Sequence, residues 1–396
     1  MKEDTLSLNL SSAVNSPKRG VGRRTLLRNL GIASATLPAA ALWGDEQESD
    51  NALIKGDVAI LRLLAAAEII ETDLWLQYSE LGGTQDNEVS GVKGGNALYM
   101  AALEILDGDM PQYIHDNTDD EKSHVSFLNA YLASKGADPV DLSRFRTLKG
   151  SQATGSTRSL RITNLMELTV DTSFWSRYRS LTNPDFDGTK FAQAVPSLNV
   201  GRHTAIPRTD ADTLGSSLSS DNTKSITSHL QAIAFTAGFH FAFIEQGGTS
   251  LYATLAQQVS SREVLRILLS IGGSEIMHFQ TWQDKAGNAL PLTDFDPINK
   301  STVTFTDLKG AKGETNPESR NGDTLQANLI MPEPCHFLSA VLPPVAIIRP
   351  TSSRNSGAMA AIKGFQDDGL FRGHQGNEFI NFLFDLAEQA DQSQRP

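Results

Sequence analysis

The sequence predicts a mainly α fold: a four-helix bundle with a long insertion and a mixed, irregular and β C-terminal extension. Three observations support this prediction. Four long stretches carry apolar side chains every three to four residues, which is typical of amphipathic helices. Two of these stretches contain the pattern Glu-x-x-His. Towards the C-terminus the helical pattern gives way to short β-prone pieces and turns.

The first pair of long helices is predicted over Asp57–Leu81 and Pro111–Lys135. The pair of glycines that begins at Gly82 ends the first helix, because glycine commonly follows the last helical residue. Proline in the first turn favours the start of the second helix, and Gly136 favours its end. A short helix around Asn96–Leu106 connects the two.

The second pair is predicted over Ile226–Leu255 and Ser260–Lys285, with Ser260 or Ser261 as the N-cap of the later helix. The loop between them, residues 256–260, is short, so the two helices should be antiparallel neighbours. Together the two pairs define a bundle over residues 52–290.

Two further regions have weaker patterns. Residues 137–225 are rich in Ser, Thr, Asn, Asp, Gly and Pro and are predicted as an insertion, with a helix indicated only at Leu165–Tyr178. Residues 291–396 contain β-prone pieces at Thr302–Leu308 and Ala340–Ile348 and one amphipathic helix at Glu378–Gln389. They are predicted as an extension of the bundle.

Residues 1–44 are predicted to be a removable leader. The pair Arg23-Arg24 directly precedes an apolar run over Leu30–Leu42, which contains a small-residue cleavage site near Ala40. The run Gly22-Arg23-Arg24-Thr25-Leu26-Leu27-Arg28 resembles the twin-arginine (Tat) signal, with Leu where that pattern often has Phe. The resemblance implies the Tat translocon as an export partner and a periplasmic or otherwise extracytoplasmic location. A disordered basic tail is the alternative.

Charge and cysteine content exclude several classes of protein. The leader carries six basic and two acidic side chains, so the whole-chain charge of −12 leaves −16 for the remainder. This excess of acid argues against binding to nucleic acid or anionic membranes, and no stretch has the length of a stable membrane span. Cys335 has no second cysteine to pair with. Folding in the reducing cytoplasm before export would account for its being alone.

The two Glu-x-x-His patterns are Glu121–His124 and Glu275–His278. Positions three apart on a helix share a face, so each carboxylate and imidazole project toward one point. A third match, Glu333–His336, contains a proline and follows another, which forbids a helix there. The sequence therefore predicts that only the first two contribute to a metal site.

Each pattern follows a long helix that has a glutamate on its apolar stripe. These glutamates are Glu68 and Glu245, and each is followed seven residues later, on the same face, by an aromatic residue, Trp75 or Tyr252. Glu71 also falls on the stripe, but this repeat favours Glu68. Four carboxylates in one core would be very costly without a cation, whereas their charge of −4 balances two divalent ions.

The chain resembles bacterial ferritin-like proteins with a Tat signal, which are relatives of plant desiccation-related proteins. This resemblance implies that the four-helix bundle is ferritin-like. Asp120-Glu121-x-x-His124 is similar to the family's Asp-Glu-x-x-His motif. The start of the first helix in the family, Leu-Glu-x-x-Glu, is similar to Leu63-Leu64-Ala65-Ala66-Ala67-Glu68-Ile69-Ile70-Glu71. Trp75 departs from the family, which often has tyrosine there, and the insertion is unusually long.

The resemblance implies a dinuclear Fe or Mn centre whose ligands are Glu68, Glu121, His124, Glu245, Glu275 and His278. Glu121 and Glu275 would bridge the ions. Asp120 would orient a histidine through its other ring nitrogen, and Glu71, Trp75 and Tyr252 would lie around the ligands, with packing favoured over redox transfer for both aromatic residues.

Three functions follow from such a centre. The first is a redox protein acting on O2 or peroxide, as an iron oxidase, a peroxidase or a manganese-catalase-like enzyme, because one ligand set serves Fe and Mn. The second is a desiccation or envelope-stress protectant whose metal is structural, and the third is metal storage. An enzyme needs a path for substrate to reach the site. A homo-oligomer is compatible with the sequence, but the insertion would obstruct a ferritin-type cage.

Overall fold

The computed structural model describes residues 53–89, 92, 94–177, 193–219, 224–308, 336–347 and 357–393. The predicted leader and Cys335 lie outside these residues. The helices are α1 (Lys55–Gly82), α2 (Ala97–Leu103), α3 (Met110–Ser134), α4 (Phe174–Arg177), α5 (Ser228–Ala256), α6 (Arg262–Ala286), α7 (Ala358–Asp368) and α8 (Glu378–Asp391). The strands are β1 (Leu148–Lys149), β2 (Leu160–Arg161), β3 (Ser217–Leu218), β4 (Lys224–Ser225), β5 (Leu292–Asp296) and β6 (Ser301–Phe305).

The four predicted long helices are confirmed as α1, α3, α5 and α6, each within two residues of its expected ends. Their ends follow local rules. The backbone N–H of Gly83 caps α1 by donating to the Ser79 carbonyl. The hydroxyl of Ser261 accepts hydrogen bonds from the first-turn N–H groups of α6, so the observed N-cap is one of the two predicted serines.

The four long helices form the bundle, in which α1 packs against α3 and α5 packs against α6. Their apolar faces meet in one hydrophobic core. Asp57, in the first turn of α1, ties the two pairs together, because its two carboxylate oxygens accept the backbone N–H groups of Ser260 and Ser261 at 2.8 Å each. The start of α1 therefore fixes the loop between α5 and α6.

The insertion is anchored to α1 by a buried carboxylate. Asp73 accepts hydrogen bonds from the backbone N–H groups of Ile162 and Thr163 at 2.8 and 2.9 Å, and it pairs with Arg146. The predicted helix at Leu165–Tyr178 is wrong over most of its described residues, because within residues 165–177 only Phe174–Arg177 is helical. The Leu168 backbone N–H instead donates to the His203 carbonyl, so this segment pairs with a distant one rather than with itself.

Residues from the predicted C-terminal extension also contribute to the core. The strand predicted at Thr302–Leu308 is observed as β6, which pairs with β5 in an antiparallel hairpin. The predicted helix at Glu378–Gln389 is confirmed as α8, which packs against α1. Asp391 at its end accepts the first backbone N–H groups of α7, at Ala358 and Met359. These contacts place α7 and α8 against the bundle.

The remaining part of the extension is irregular. Over residues 336–347, which include most of the β-prone piece predicted at Ala340–Ile348, the backbone forms an isolated bridge between Phe337 and Ser339 rather than a strand. Among the helices of the described residues, none combines the length and the hydropathy that crossing a membrane requires.

Candidate metal centre

The structure brings all six predicted ligands together in the middle of the bundle, with contributions from each long helix. The four glutamates are at most 1% exposed. The six residues are Glu68 of α1, Glu121 and His124 of α3, Glu245 of α5, and Glu275 and His278 of α6. The i, i+3 spacing on α3 and α6 places each histidine one turn beyond its glutamate on the same face.

The ligand atoms form two overlapping groups, and within each group they lie within 4.8 Å of one another. We name them position A, which contains Glu68 and His124, and position B, which contains Glu245 and His278. Both groups include Glu121 and Glu275. The two carboxylates that the family resemblance singled out as bridges are thus the two that the positions share.

Both histidines turn Nδ1 toward the carboxylates. Nδ1 of His124 lies 3.0 Å from Glu121 Oε2 and 3.2 Å from Glu68 Oε2. Nδ1 of His278 lies 3.2 Å from both Glu245 Oε2 and Glu121 Oε1. One nitrogen of each ring is therefore directed at the centre of its position.

The outer nitrogens have different partners. Nε2 of His278 lies 3.1 Å from Asp120 Oδ2, and Asp120 is the residue that was expected to orient a histidine. Nε2 of His124 lies 3.2 Å from the hydroxyl of Ser274. Ser274 was not predicted, although its place directly before Glu275 is a signal that sequence reasoning could have used.

Neutral donors hold the carboxylates. Asn117 donates from Nδ2 to Glu121 Oε1 at 2.8 Å and to Glu245 Oε1 at 3.0 Å, and its Oδ1 accepts from the Trp282 indole at 2.6 Å. Asn117 and Trp282 were not predicted. Asn117 lies one turn before Glu121 on the same helix face, which is the available signal.

The other residues predicted around the ligands differ in their contacts. The phenol of Tyr252 donates a hydrogen bond to Glu68 Oε1. Trp75 is fully buried and stacks on Trp282 with ring centroids 5.3 Å apart, and its indole N–H has no acceptor among the described residues. Glu71 is 3% exposed and belongs to neither position. Tyr252 thus contacts a predicted ligand directly, whereas Trp75 packs behind the site.

Two glycines allow close approach inside the centre. A Cβ atom on Gly248 of α5 would lie 2.3 Å from Glu275 Oε2, and a Cβ atom on Gly272 of α6 would lie 2.9 Å from Cβ of Tyr252. Of the adjacent glycines Gly272 and Gly273 in α6, Gly272 is therefore the one that permits close packing. A Cβ atom on Gly273 would meet nothing within 4 Å.

Burial and mutual repulsion shift the carboxylate pKa values. Burial, and then the charges of Glu121 and Glu245, raise the pKa of Glu275 well above its usual range. Burial and the charge of Glu121 raise the pKa of Glu68 to about 7. Burial alone would raise the pKa of Glu121 too, but hydrogen bonds with both histidines hold it below its usual range.

The histidines respond in the opposite direction. Burial alone would lower the pKa of His124, but the carboxylates of Glu121 and Glu68 raise it to about 10. Burial has the same opposing effect on His278, whose pKa the charge of Glu245 nevertheless raises well above its usual value. Without a cation, the groups with raised pKa values hold protons. They would have to release these protons to act as metal ligands.

The donor set fits bound cations. Both carboxylate oxygens of Glu275 are buried and accept no hydrogen bond within the described residues, and Oε1 lies 3.5 Å from Nδ1 of His124. Leaving a buried carboxylate unpartnered is costly. A metal ion in either position would provide the missing partner, and oxygen with imidazole ligands suits first-row transition metals.

Other histidines have protein partners instead. His115 lies 2.8 Å from Asp86, in a more exposed group that includes Glu88. His240 is fully buried between the Tyr78 hydroxyl at 2.7 Å and Asp368 at 2.9 Å. Both arrangements are those of structural histidines.

Comparisons with known proteins agree with this architecture. Residues 56–287 match the family model described as "Ferritin-like domain", and this range contains all six predicted ligands. No curated protein and no solved structure gives a match.

Proposed function

The chain belongs to the ferritin-like domain family, and from that premise we propose that it is a redox metalloprotein in which two Fe or Mn ions react with O2 or peroxide. One observation carries the proposal: the buried carboxylate of Glu275 lacks a hydrogen-bond partner in the described structure and is shared by two groups of metal-ligand atoms. A single structural ion would not require two such groups.

Each residue has a role in the proposal. Glu68 and His124 would hold the ion in position A, and Glu245 and His278 the ion in position B, while Glu121 and Glu275 neutralise the repulsion between the ions. Four carboxylates supply a charge of −4 against +4. The bound ions would supply the redox chemistry, and the protein would keep it in a buried core.

The proposal leaves the reaction as one of three. Iron oxidation, peroxide removal and peroxide dismutation use the same set of ligands. Fe and Mn differ little in ligand preference, so the residues do not indicate which of the two metals binds. We further propose that the metal is acquired in the cytoplasm and that the folded protein is exported by the Tat translocon to the periplasm. The Arg23-Arg24 pair before an apolar run supports this route.

The test is the metal content of the protein purified from the cytoplasm, measured by mass spectrometry beside a Glu121→Ala/Glu275→Ala variant. We expect about two Fe or Mn ions per chain in the wild type and none in the variant. Asp86→Ala/Glu88→Ala is the matched control, because it removes two carboxylates from the other acidic group and should retain both ions.

The outcomes separate the candidate functions. Metal-loaded protein that consumes peroxide or oxidises ferrous iron supports the redox function. A wild type that is metal-free and folded contradicts it. Protein that holds its ions but reacts with neither substrate would instead be a metal-stabilised protectant, and circular dichroism would check that every variant remains helical.

A further inference from the structure

A cavity of about 170 Å³ lies beside the candidate metal centre. Its walls include Gly247 and Gly248 of α5 and Ala361 and Gly364 of α7, and α1 contributes Glu71. Its boundary is thus formed both by the family-matched bundle and by a helix from the C-terminal region, for which the sequence predicted no role. The volume is comparable to cavities that take up a molecule as small as benzene or xenon.

The cavity lies next to the centre at two places. Gly248 lines it, and a Cβ atom on Gly248 would lie 2.3 Å from Glu275 Oε2, so this lining residue packs directly against the carboxylate that both positions share. Glu71 also lines it and lies one turn after Glu68 on α1, where the charges of Glu68 and Glu121 act on it. The cavity is therefore adjacent to the ligands.

The lining determines what the cavity accepts. Phe243, Leu251 and Phe365 make much of it apolar. Other polar lining groups already bond within the protein: Gln246 donates to Ser250 at 2.7 Å, and Asp171 accepts from Gln193 at 2.7 Å. Glu71 and Asp171 both carry carboxyl groups, which offer an anion no positive charge, and the size of the cavity excludes bulky organic molecules.

We propose that this α5–α7 cavity is the entry and binding pocket for a small uncharged oxidant of the size of hydrogen peroxide, on its way to Glu275. This inference rests on the proposed redox function and adds its point of access. It also gives α7 a function, because the helix closes one side of the pocket.

Filling the cavity from opposite walls tests the proposal. A Cβ atom on Gly364 or Gly247 would meet nothing within 4 Å, so Gly364→Phe and Gly247→Phe can each place a ring in the cavity without an initial clash. Gln366→Phe, at an exposed position of α7, is the matched control. Gly364→Leu keeps the test available if the larger ring prevents folding.

Two readouts are needed. In metal-loaded protein, we expect both filled variants to keep their metal and to react with hydrogen peroxide about tenfold more slowly than wild type, while the control is unchanged. A bulky probe, tert-butyl hydroperoxide, should already react slowly with wild type. In metal-free protein, the ¹²⁹Xe NMR shift caused by xenon binding should be present in wild type and the control and absent from both filled variants.

The outcomes keep the two proposals apart. Metal-loaded wild type that reacts with neither peroxide nor ferrous iron overturns the proposed function, and the xenon measurement then decides whether the cavity admits a small neutral molecule. Filled variants that exclude xenon but react with peroxide at the wild-type rate overturn the access proposal. Filled variants that slow only the uptake of metal also overturn it, since the cavity would then admit ions.

Discussion

Positions A and B have matching candidate ligands but different surroundings. Each has its own glutamate and histidine, and both share Glu121 and Glu275. The outer nitrogen of His278 in position B faces the carboxylate of Asp120, whereas that of His124 in position A faces the hydroxyl of Ser274. The two halves of the sequence pattern therefore match at the candidate ligands but differ at the outer partners of the two histidines.

This difference predicts unequal affinity for metal. A carboxylate behind a histidine fixes which ring nitrogen carries the proton and makes the other a stronger ligand, whereas a hydroxyl is a weaker partner. Position B should therefore hold its ion more tightly, and position A should exchange its ion more readily. The predictions below test this inequality, beginning with the largest expected effect.

The largest effect is expected from removing each histidine in turn. His124→Ala should leave position B occupied, giving about one ion per chain. His278→Ala removes the stronger position and leaves the weaker one, so its metal content should fall below one after dialysis. Mass spectrometry of both variants measures the difference, and equal metal contents would contradict the inequality of the two positions.

A smaller effect is expected from changing the outer partners alone. Asp120→Asn should weaken binding at position B by about 10- to 100-fold, because the second partner of a ligating histidine has effects of that size. Ser274→Ala, the matched change at position A, should alter affinity much less. Competition with a chelator gives both affinities. Similar losses in the two variants would show that the carboxylate confers no advantage.

The clustering of the predicted ligands in one place could be foreseen from sequence, because helix geometry fixes which side chains share a face. Spacing of three residues puts Glu121 with His124 on one face, and an amphipathic stripe selects Glu68, so local rules are sufficient. The places of Asn117 and Ser274 beside the Glu-x-x-His patterns only hinted at a role, because their contacts to Glu245 and His124 depend on which residue of another helix they meet. Spacing along one helix carries no information about that register.

The fold, like the site, was predictable where local signals decide the structure and not where long-range contacts do. The ends of the long helices follow local signals, such as Ser261 at the start of α6. The helix expected at Leu165–Tyr178 failed because its backbone pairs with a segment near His203, which propensity does not reveal. The packing of α7 beside the metal centre likewise depends on long-range contacts, so the cavity could not be predicted from the sequence.

Position A should also make metal binding depend on pH. In the metal-free protein the pKa of Glu68 is raised to about 7 and that of His124 to about 10, so both groups hold protons near neutral pH. An ion must displace these protons. Affinity should therefore rise with pH, and protons should be released on binding.

The stability of the metal-free protein should change in the opposite direction. With a folded pKa of about 7 for Glu68, against 4.5 when unfolded, the folded chain binds more protons over this range and loses stability as pH rises through it. The raised pKa of His124 likewise gives stability that is present below 6.5 and lost toward 10. The increase in Tm caused by metal should thus be larger at pH 8 than at pH 6. A smaller increase at pH 8 would contradict these pKa directions.

The smallest effect is expected at the glycine pair of α6, and it concerns position A alone, because Tyr252 donates to Glu68. Gly272→Ala would place Cβ 2.9 Å from Cβ of Tyr252, so we expect a loss of about 1–2 kcal/mol in the free energy of unfolding. A Cβ atom on Gly273 would meet nothing within 4 Å, and this position is exposed. Gly273→Ala should therefore raise the free energy of unfolding by about 0.5–1 kcal/mol, because alanine has the higher helix propensity.

Urea unfolding of the metal-free variants measures both changes, and the adjacent glycines serve as each other's control. Because Gly272→Ala displaces Tyr252, it should also weaken metal binding at position A and leave position B unchanged, whereas Gly273→Ala should alter neither. Weaker binding at both positions would mean that the displacement also affects the shared carboxylate of Glu275. Metal binding at positions A and B would then be coupled, although their histidines have different outer partners.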